Sequence, residues 1–301
     1  MKALNVGVAP TTYGQGTRPP RGDYASARSN YTCEQDWSAY SAQDHDLYRR
    51  LYQRQAAQLE GLACDEFINA LSQLGAPDQI PHFDALSEKL HRATGWVIQA
   101  VPGLIPEEAF FALLAARKFP VTNWIRKPEE FDYVVEPDVF HDLFGHVPLL
   151  FNPVFADYMQ AYGQGGLKAS TLDACELLAR LYWYTVEFGL IATPQGLRAY
   201  GAGILSSAGE LRHSIQATMP NCPTRVAFDL PRIMRSRYQI DSFQSSYFVI
   251  DSYQQLFDAT APDFTALYAA VRADISMNGE IDAGAVLAGE RVVDSLPVKG
   301  G

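Results

Sequence analysis

Glu136-Pro137-Asp138-Val139-Phe140-His141-Asp142-Leu143-Phe144-Gly145-His146 is the run on which the reading of this chain turns. It sets two of the six histidines five residues apart, and a carboxylate, Glu187, follows in the aromatic run Tyr182-Trp183-Tyr184-Thr185-Val186-Glu187-Phe188. Two neutral imidazoles and one carboxylate form the donor set of a mononuclear iron site with open coordination positions, so oxygen chemistry is the first hypothesis. On a regular α-helix five residues turn through about 500°, which leaves the two rings roughly 140° apart around the axis. Both reach one ion only if the helix breaks between them, and Gly145 supplies that break. A zinc-protease pair at i and i+4 is not present. Trp183, four residues ahead of Glu187, faces the same way and makes the pocket apolar, which discourages ionisation unless a cation is present. Asp142 points elsewhere on the helix and suits contacts around the site. The competing reading is a pair of hydrogen-bonded core histidines, with Glu187 merely on one face with Arg180. His45, His82, His91 and His213 lack comparable company.

At 301 residues and 48% apolar content the chain can bury a large core, and no composition shift divides it, so one domain is expected. Its 24 Lys and Arg against 34 Asp and Glu leave a formal charge of −10, and the pI is near 5.1. That balance repels a phosphate backbone, and no nucleic-acid partner is expected. The start, Met1 to Pro10, lacks an apolar core of signal-peptide length, and no uninterrupted apolar segment is long enough to span a bilayer. A soluble cytoplasmic protein without a membrane partner is expected. Cys33, Cys64, Cys175 and Cys222 are scattered without a C-x-x-C pair, which suggests neither a zinc cluster nor a redox dithiol. Arg21-Gly22-Asp23 and the sequon Asn30-Tyr31-Thr32 are chance matches in a chain without a signal sequence.

Residues 1–40, rich in Gly, Pro, Arg, Ser and Thr, read as a flexible or surface-draped N-terminal arm. The catalytic body is expected over 41–280, and residues 281–301 form a C-terminal tail. Leu47, Leu51 and Leu59 mark a first helix. Phe67 to Leu74 before Gly75 mark a second, and Asp84 to Thr94 a third. Pro106 with Glu107 and Glu108 starts another that ends near Arg117. Val121 to Ile125 suggests an extended piece. Asn152-Pro153 opens a helix expected to end at Gly163, and Asp173 to Leu190 is the strongest helical segment. Further helices are expected near 231–237 and 263–273, with a strand at Phe248 to Ile250. Gly163-Gln164-Gly165-Gly166 and Gly201-Ala202-Gly203 follow no strand and read as turns rather than phosphate loops. The expected fold class is mainly α with a few short strands.

Three runs together carry a family resemblance: Glu136 to Leu149, Tyr182 to Leu190 and Tyr200 to Ser207. In order and spacing they resemble the pterin-dependent aromatic amino acid hydroxylases, over roughly residues 41 to 275, and most of all the short bacterial members that hydroxylate phenylalanine at C4. The resemblance implies the single-domain catalytic fold of that family. It implies Fe(II) ligated by His141, His146 and Glu187. It implies a substrate site in which Arg126 forks the amino acid carboxylate, Pro137, Trp183 and Phe188 surround the ring, and Ser206 and Glu210 support the polar end. It implies a tetrahydropterin site made of the Gly103-Leu104-Ile105 backbone, the stacking ring of Phe110, and Asp142, Ala179 and Tyr182 near the iron. The implied reaction takes L-phenylalanine, dioxygen and the reduced pterin to L-tyrosine and a hydroxylated pterin, a step of phenylalanine catabolism.

Departures from the family pattern are also legible. Animal members carry a regulatory domain and a tetramer-forming helix, for which this chain has neither the length nor a heptad, so a monomer is expected. Val134 replaces a threonine near the substrate in animal members, and Asp142 is one methylene shorter than their glutamate. The same residues also fit rival functions. Tryptophan or tyrosine hydroxylation is the nearest, because pocket shape separates flat amino acids by only about 1–3 kcal/mol per methylene-sized change. A zinc hydrolase with the same ligands and a silent aromatic amino acid binding protein are the more distant ones.

Overall fold

A capping box starts the helical body. In the computed structural model, which describes residues 21–75, 77–216 and 222–293, the Ser41 hydroxyl accepts the Asp44 N–H and the Asp44 carboxylate accepts that of Ser41. Two orphan donors of α1 (Ala42–Ala56) are thereby satisfied. α2 (Asp65–Leu74) and α3 (Phe83–Thr94) stop at Gly75 and Gly95, both at positive φ. Then β1 (Val97–Val101), α4 (Glu107–Ala115) and β2 (Lys118–Thr122) form a crossover unit in which the two strands pair in parallel. The extended piece expected at 121–125 therefore begins earlier, where Val97 to Val101 supplies a hydrogen-bonding partner.

α5 (Pro153–Thr171) opens as the sequence predicts, with the Asn152 side chain accepting the N–H groups of Val154 and Phe155. It does not end at Gly163, and Gly163 to Gly166 is not a turn. The glycines are interior residues that let α4 approach: a Cβ on Gly163 would lie 2.4 Å from the Ala115 nitrogen, and one on Gly166 would lie 2.1 Å from Cδ1 of Phe111. Gly165, by contrast, faces open space. Gly166→Ala is therefore expected to destabilise the protein by about 1–3 kcal/mol through overpacking against a buried ring. Gly165→Ala, in the same helix, is expected to stabilise it by up to about 1 kcal/mol. Urea unfolding of the two variants checks the pair, and a shift of both midpoints in one direction would rule out this account.

Beyond α6 (Cys175–Tyr182) come β3 (Leu190–Thr193), β4 (Gly196–Ala199), the short α7 (Ala202–Leu205) and α8 (Ala208–Gln216). The Gly201-Ala202-Gly203 stretch, expected as a turn, thus contains the start of a helix. β5 (Thr224–Ala227), α9 (Leu230–Arg235), β6 (Ser246–Ile250), α10 (Tyr253–Thr260) and α11 (Thr265–Asn278) complete the set. Four strands form one sheet in the order β4-β3-β6-β5, with β3 antiparallel to β4 and parallel to β6. The mainly α fold class with a few short strands holds, and among the described residues no helix is long and apolar enough to cross a membrane.

The segments flanking this body are docked where they are described. Residues 21–40 lie against its surface: the Cys33 N–H donates to Ala100, and the Trp37 indole donates to Ile80 at 2.7 Å. The first half of the expected arm, residues 1–20, lies outside the described residues. Ile281 exchanges backbone hydrogen bonds with Arg235 and Arg237, and Val293 donates to Arg225 of β5. That portion of the expected tail is therefore paired to the body; residues 294–301 lie outside the described residues.

Candidate metal centre and the pocket around it

Both segments that carry the expected ligands leave the α-helical path. His141–His146 and Trp183–Glu187 are π-helical turns, the second continuing directly from α6. In a π turn the backbone bonds run from i to i+5, so a residue sits above the one five behind it. The two histidines meet without any break, which corrects the role expected of Gly145. The glycine instead permits contact, since a Cβ there would lie within 2.9–3.2 Å of Ala202 and push α7 off the turn. The second π turn likewise sets Trp183 over Phe188: the Phe188 N–H donates to the Trp183 carbonyl at 2.8 Å, and the rings are 4.7 Å apart. The first turn is anchored by Phe140 and Phe144, both fully buried, whose rings stack at 5.1 Å. Tyr52 of α1 and Phe67 of α2 meet the Phe144 ring edge-on at 5.2 and 5.9 Å.

Three donor atoms converge. Nε2 of His141 and Nε2 of His146 are 3.0 Å apart, and the Glu187 carboxylate lies 3.2 Å from His146 and 3.6 Å from His141. Ligands bound at about 2.1 Å and at right angles are about 3.0 Å apart, so the triangle fits one octahedral face. Proton placement fits as well. The Ser206 hydroxyl donates to the Ala202 carbonyl at 2.8 Å, so toward Nδ1 of His141, also at 2.8 Å, it acts as acceptor. His141 therefore carries its proton on Nδ1 and turns a lone pair on Nε2 toward the other two donors. Burial holds this imidazole down at about 4, so it is neutral at physiological pH despite the nearby Glu187 charge. Burial would also lower His146 and raise Glu187, but their mutual attraction outweighs it and shifts each the other way. This pair holds a proton where a cation would replace it.

Asp142 is a second carboxylate within 4.8 Å of both imidazoles. It accepts the Thr122 N–H at 2.7 Å, and burial pushes it up to about 7. It sits beside the triangle, whereas Glu187 closes it.

Several of the remaining expected site residues are linked to this centre through direct contacts. Arg126 is 4% exposed and already forked, Nε and Nη2 binding Asp138 at 2.8 and 2.9 Å, so Nη1 is the nitrogen left unused by that pair. Asp138, fully buried, also accepts the backbone N–H groups of Arg126 and His141, which ties the arginine to the first π turn. Pro137 is half-buried one residue before it. Trp183 and Phe188 form an aromatic wall with Tyr238, whose ring stacks on Trp183 at 4.4 Å. Glu210 is buried, with Oε1 taken by the Gln244 N–H and the Tyr247 hydroxyl. Burial raises its carboxyl. On another side, Phe110 meets the Tyr182 ring edge-on at 5.6 Å, and Tyr182 lies 6.1 Å from the His146 ring, so these rings lead from α4 to the triangle. Ala179 is buried one turn before Tyr182. The Gly103-Leu104-Ile105 loop is pinned by the Tyr24 hydroxyl, which donates to the Leu104 carbonyl at 2.9 Å.

Arg180 does not pair with Glu187; it binds Glu176 and Glu280. Reading the sequence misses Tyr238, Gln244, Tyr247 and Tyr24, whose partners lie far away along the chain. No local spacing marks them.

A model of the family described as biopterin-dependent aromatic amino acid hydroxylases matches residues 13–266. The phenylalanine-4-hydroxylase of Ralstonia nicotianae is 60% identical over 250 residues, 83% of this chain and 79% of that one. That of Chromobacterium violaceum is 60% identical over 241 residues, 80% of each chain. A crystal structure of the Chromobacterium violaceum enzyme with iron and phenylalanine bound is similar at TM-score 0.83 and 54% identity, covering 89% of this chain and 96% of that one.

Proposed function

The chain belongs to the biopterin-dependent aromatic amino acid hydroxylases, and from that premise we propose how its side chains serve one reaction, the conversion of L-phenylalanine to L-tyrosine with dioxygen and a tetrahydropterin. Iron(II) and the pterin, when bound, supply the reduction of dioxygen and the delivery of one oxygen atom to the ring. The observation that carries the assignment is the donor triangle: His141, His146 and Glu187 hold the ion, and Ser206 keeps the His141 lone pair aimed at it.

Around the ion the protein positions reactants and excludes water. Arg126 offers the substrate carboxylate the edge that Asp138 leaves free, while Asp138 keeps the guanidinium from turning. Pro137, Trp183 and Phe188 receive the ring, with Glu210 and Ser206 behind the polar end. The Gly103-Leu104-Ile105 backbone meets the polar edge of the pterin, Phe110 offers its face, and Asp142, Ala179 and Tyr182 complete the side toward the ion. No side chain is required as a general base. Cytoplasmic residence and a monomeric state belong to the same proposal; the free thiols of Cys33, Cys64, Cys175 and Cys222 suit a reducing compartment.

The test is an aerobic assay of iron(II)-loaded protein with a tetrahydropterin, offered phenylalanine, tyrosine and tryptophan separately. Tyrosine is expected from phenylalanine, dependent on both iron and pterin, with the highest kcat/KM of the three. No hydroxylated product from any of them, with zinc retained through purification, would overturn the reading in favour of hydrolytic chemistry.

A further inference from the structure

Gln244, in the segment between α9 and β6, is 3% exposed and uses every polar atom it has. Its Oε1 accepts the Trp183 indole N–H at 2.9 Å. Its Nε2 donates to the Gln239 carbonyl at 2.6 Å and faces that of Ser242 at 3.4 Å. Its backbone N–H donates to Glu210 at 3.0 Å, and its carbonyl meets Nε2 of His213 at 3.1 Å. A flipped amide would set donor against donor at Trp183 and acceptor against acceptor at Gln239, so only one orientation satisfies the network.

The place of this amide matters as much as its satisfaction. Gln239, which Gln244 holds, follows Tyr238, the residue whose ring stacks on Trp183 at 22° between planes. One side chain therefore fixes both the indole and the loop carrying the ring stacked upon it. The acceptor satisfies the partly buried indole N–H, and through the same amide it also ties that indole to the Tyr238 loop. An indole without that bond keeps its contacts with Tyr238 and Phe188 but loses its one directional anchor, about a terminal torsion whose wells are broad. The wall would then yield to a wider ring.

Resting on the reading of Trp183 and Phe188 as the ring wall, we propose that Gln244 is a positioning residue that sets substrate choice, locking Trp183 and the Tyr238 loop in the one arrangement that favours a single aromatic ring over a fused pair. Shape discrimination in apolar pockets spans about 10–200-fold, so losing the lock should erase a good part of the preference.

The experiment compares parent, Gln244→Met, Trp183→Phe and the double variant as iron(II)-loaded enzyme with a tetrahydropterin. Methionine keeps the length without the amide, and phenylalanine at 183 removes the same hydrogen bond from its other end. In Gln244→Met the KM for phenylalanine is expected to rise about tenfold with a smaller change in kcat. The kcat/KM ratio of phenylalanine to tryptophan is expected to fall by a similar factor. Anaerobic calorimetry should show the same weakening of phenylalanine binding. The two substitutions should be non-additive, the double variant resembling Trp183→Phe alone. A Gln244→Met protein with a lowered Tm and an unchanged substrate ratio, or two substitutions whose effects multiply, would overturn the proposal. If Gln244→Met does not fold, Trp183→Phe decides: an unchanged ratio and affinity overturn it. A parent that makes no tyrosine at all refutes the proposed function instead, a distinguishable result.

Discussion

In Glu187→Ala protein, bound iron after desalting is expected to fall by a hundredfold or more, and tyrosine formation is expected to vanish at iron levels that saturate the parent. Structural metal sites with four donors bind with about 10–16 kcal/mol, roughly 3 kcal/mol per donor, which is about two orders of magnitude in affinity. The fold should tolerate the change, because the carboxylate spends its interactions on His146, His141 and the Gly203 N–H rather than on the apolar core. Iron content, product analysis and a melting curve on one preparation check all three statements. Parent-level iron with parent-level turnover would move the third ligand elsewhere, with Asp142 the first alternative because its carboxylate also reaches both imidazoles.

Asp138→Ala is expected to be the most destabilising single change at the site. It strips the counter-charge from an arginine that is 4% exposed and removes the acceptor of two backbone N–H groups. Breaking a buried ion pair from one side costs about 3–5 kcal/mol. For a chain of this length each kcal/mol lowers Tm by about 1.5–2 °C, so a drop of roughly 5–10 °C is expected by calorimetry. Because Asp138 also holds the His141 N–H, the iron affinity of whatever folds should fall too. A variant within 2 °C of the parent, a margin that corresponds to about 1 kcal/mol or less, would mean that the guanidinium is solvated or paired in another way.

What the sequence made legible is what local chemistry decides. Ser41 and Asn152 announce helix starts because their side chains cap the residues next to them, and Gly75 announces an end for a similar local reason. Gly163 misleads by the same logic, since a glycine reads as a stop until a second helix is known to press on it. The parallel pairing of β1 with β2 was hidden because nothing in Val97 to Val101 names a partner beyond the intervening α4. In the site, residue type, spacing and the family resemblance pointed to three candidate donors, and the fold brings their atoms within 3.0–3.6 Å of one another. Their geometry was not legible: the width of a helical turn answers to α7 seated on Gly145 and to Phe140 and Phe144 locked under α1 and α2. Arg126 was legible as a fork but not as one already half occupied by Asp138, twelve residues on.

Each of the two π turns closes its backbone bonds over five residues instead of four, and the donor triangle is built from side chains carried on both wider turns. The distance between the rings is then recorded in the number of residues a turn spans as well as in the packing on Gly145, Phe140 and Phe144. A comparison that counts substitutions alone passes over this information. One that allows a single-residue gap reads it directly, and would expect no such gap within either turn.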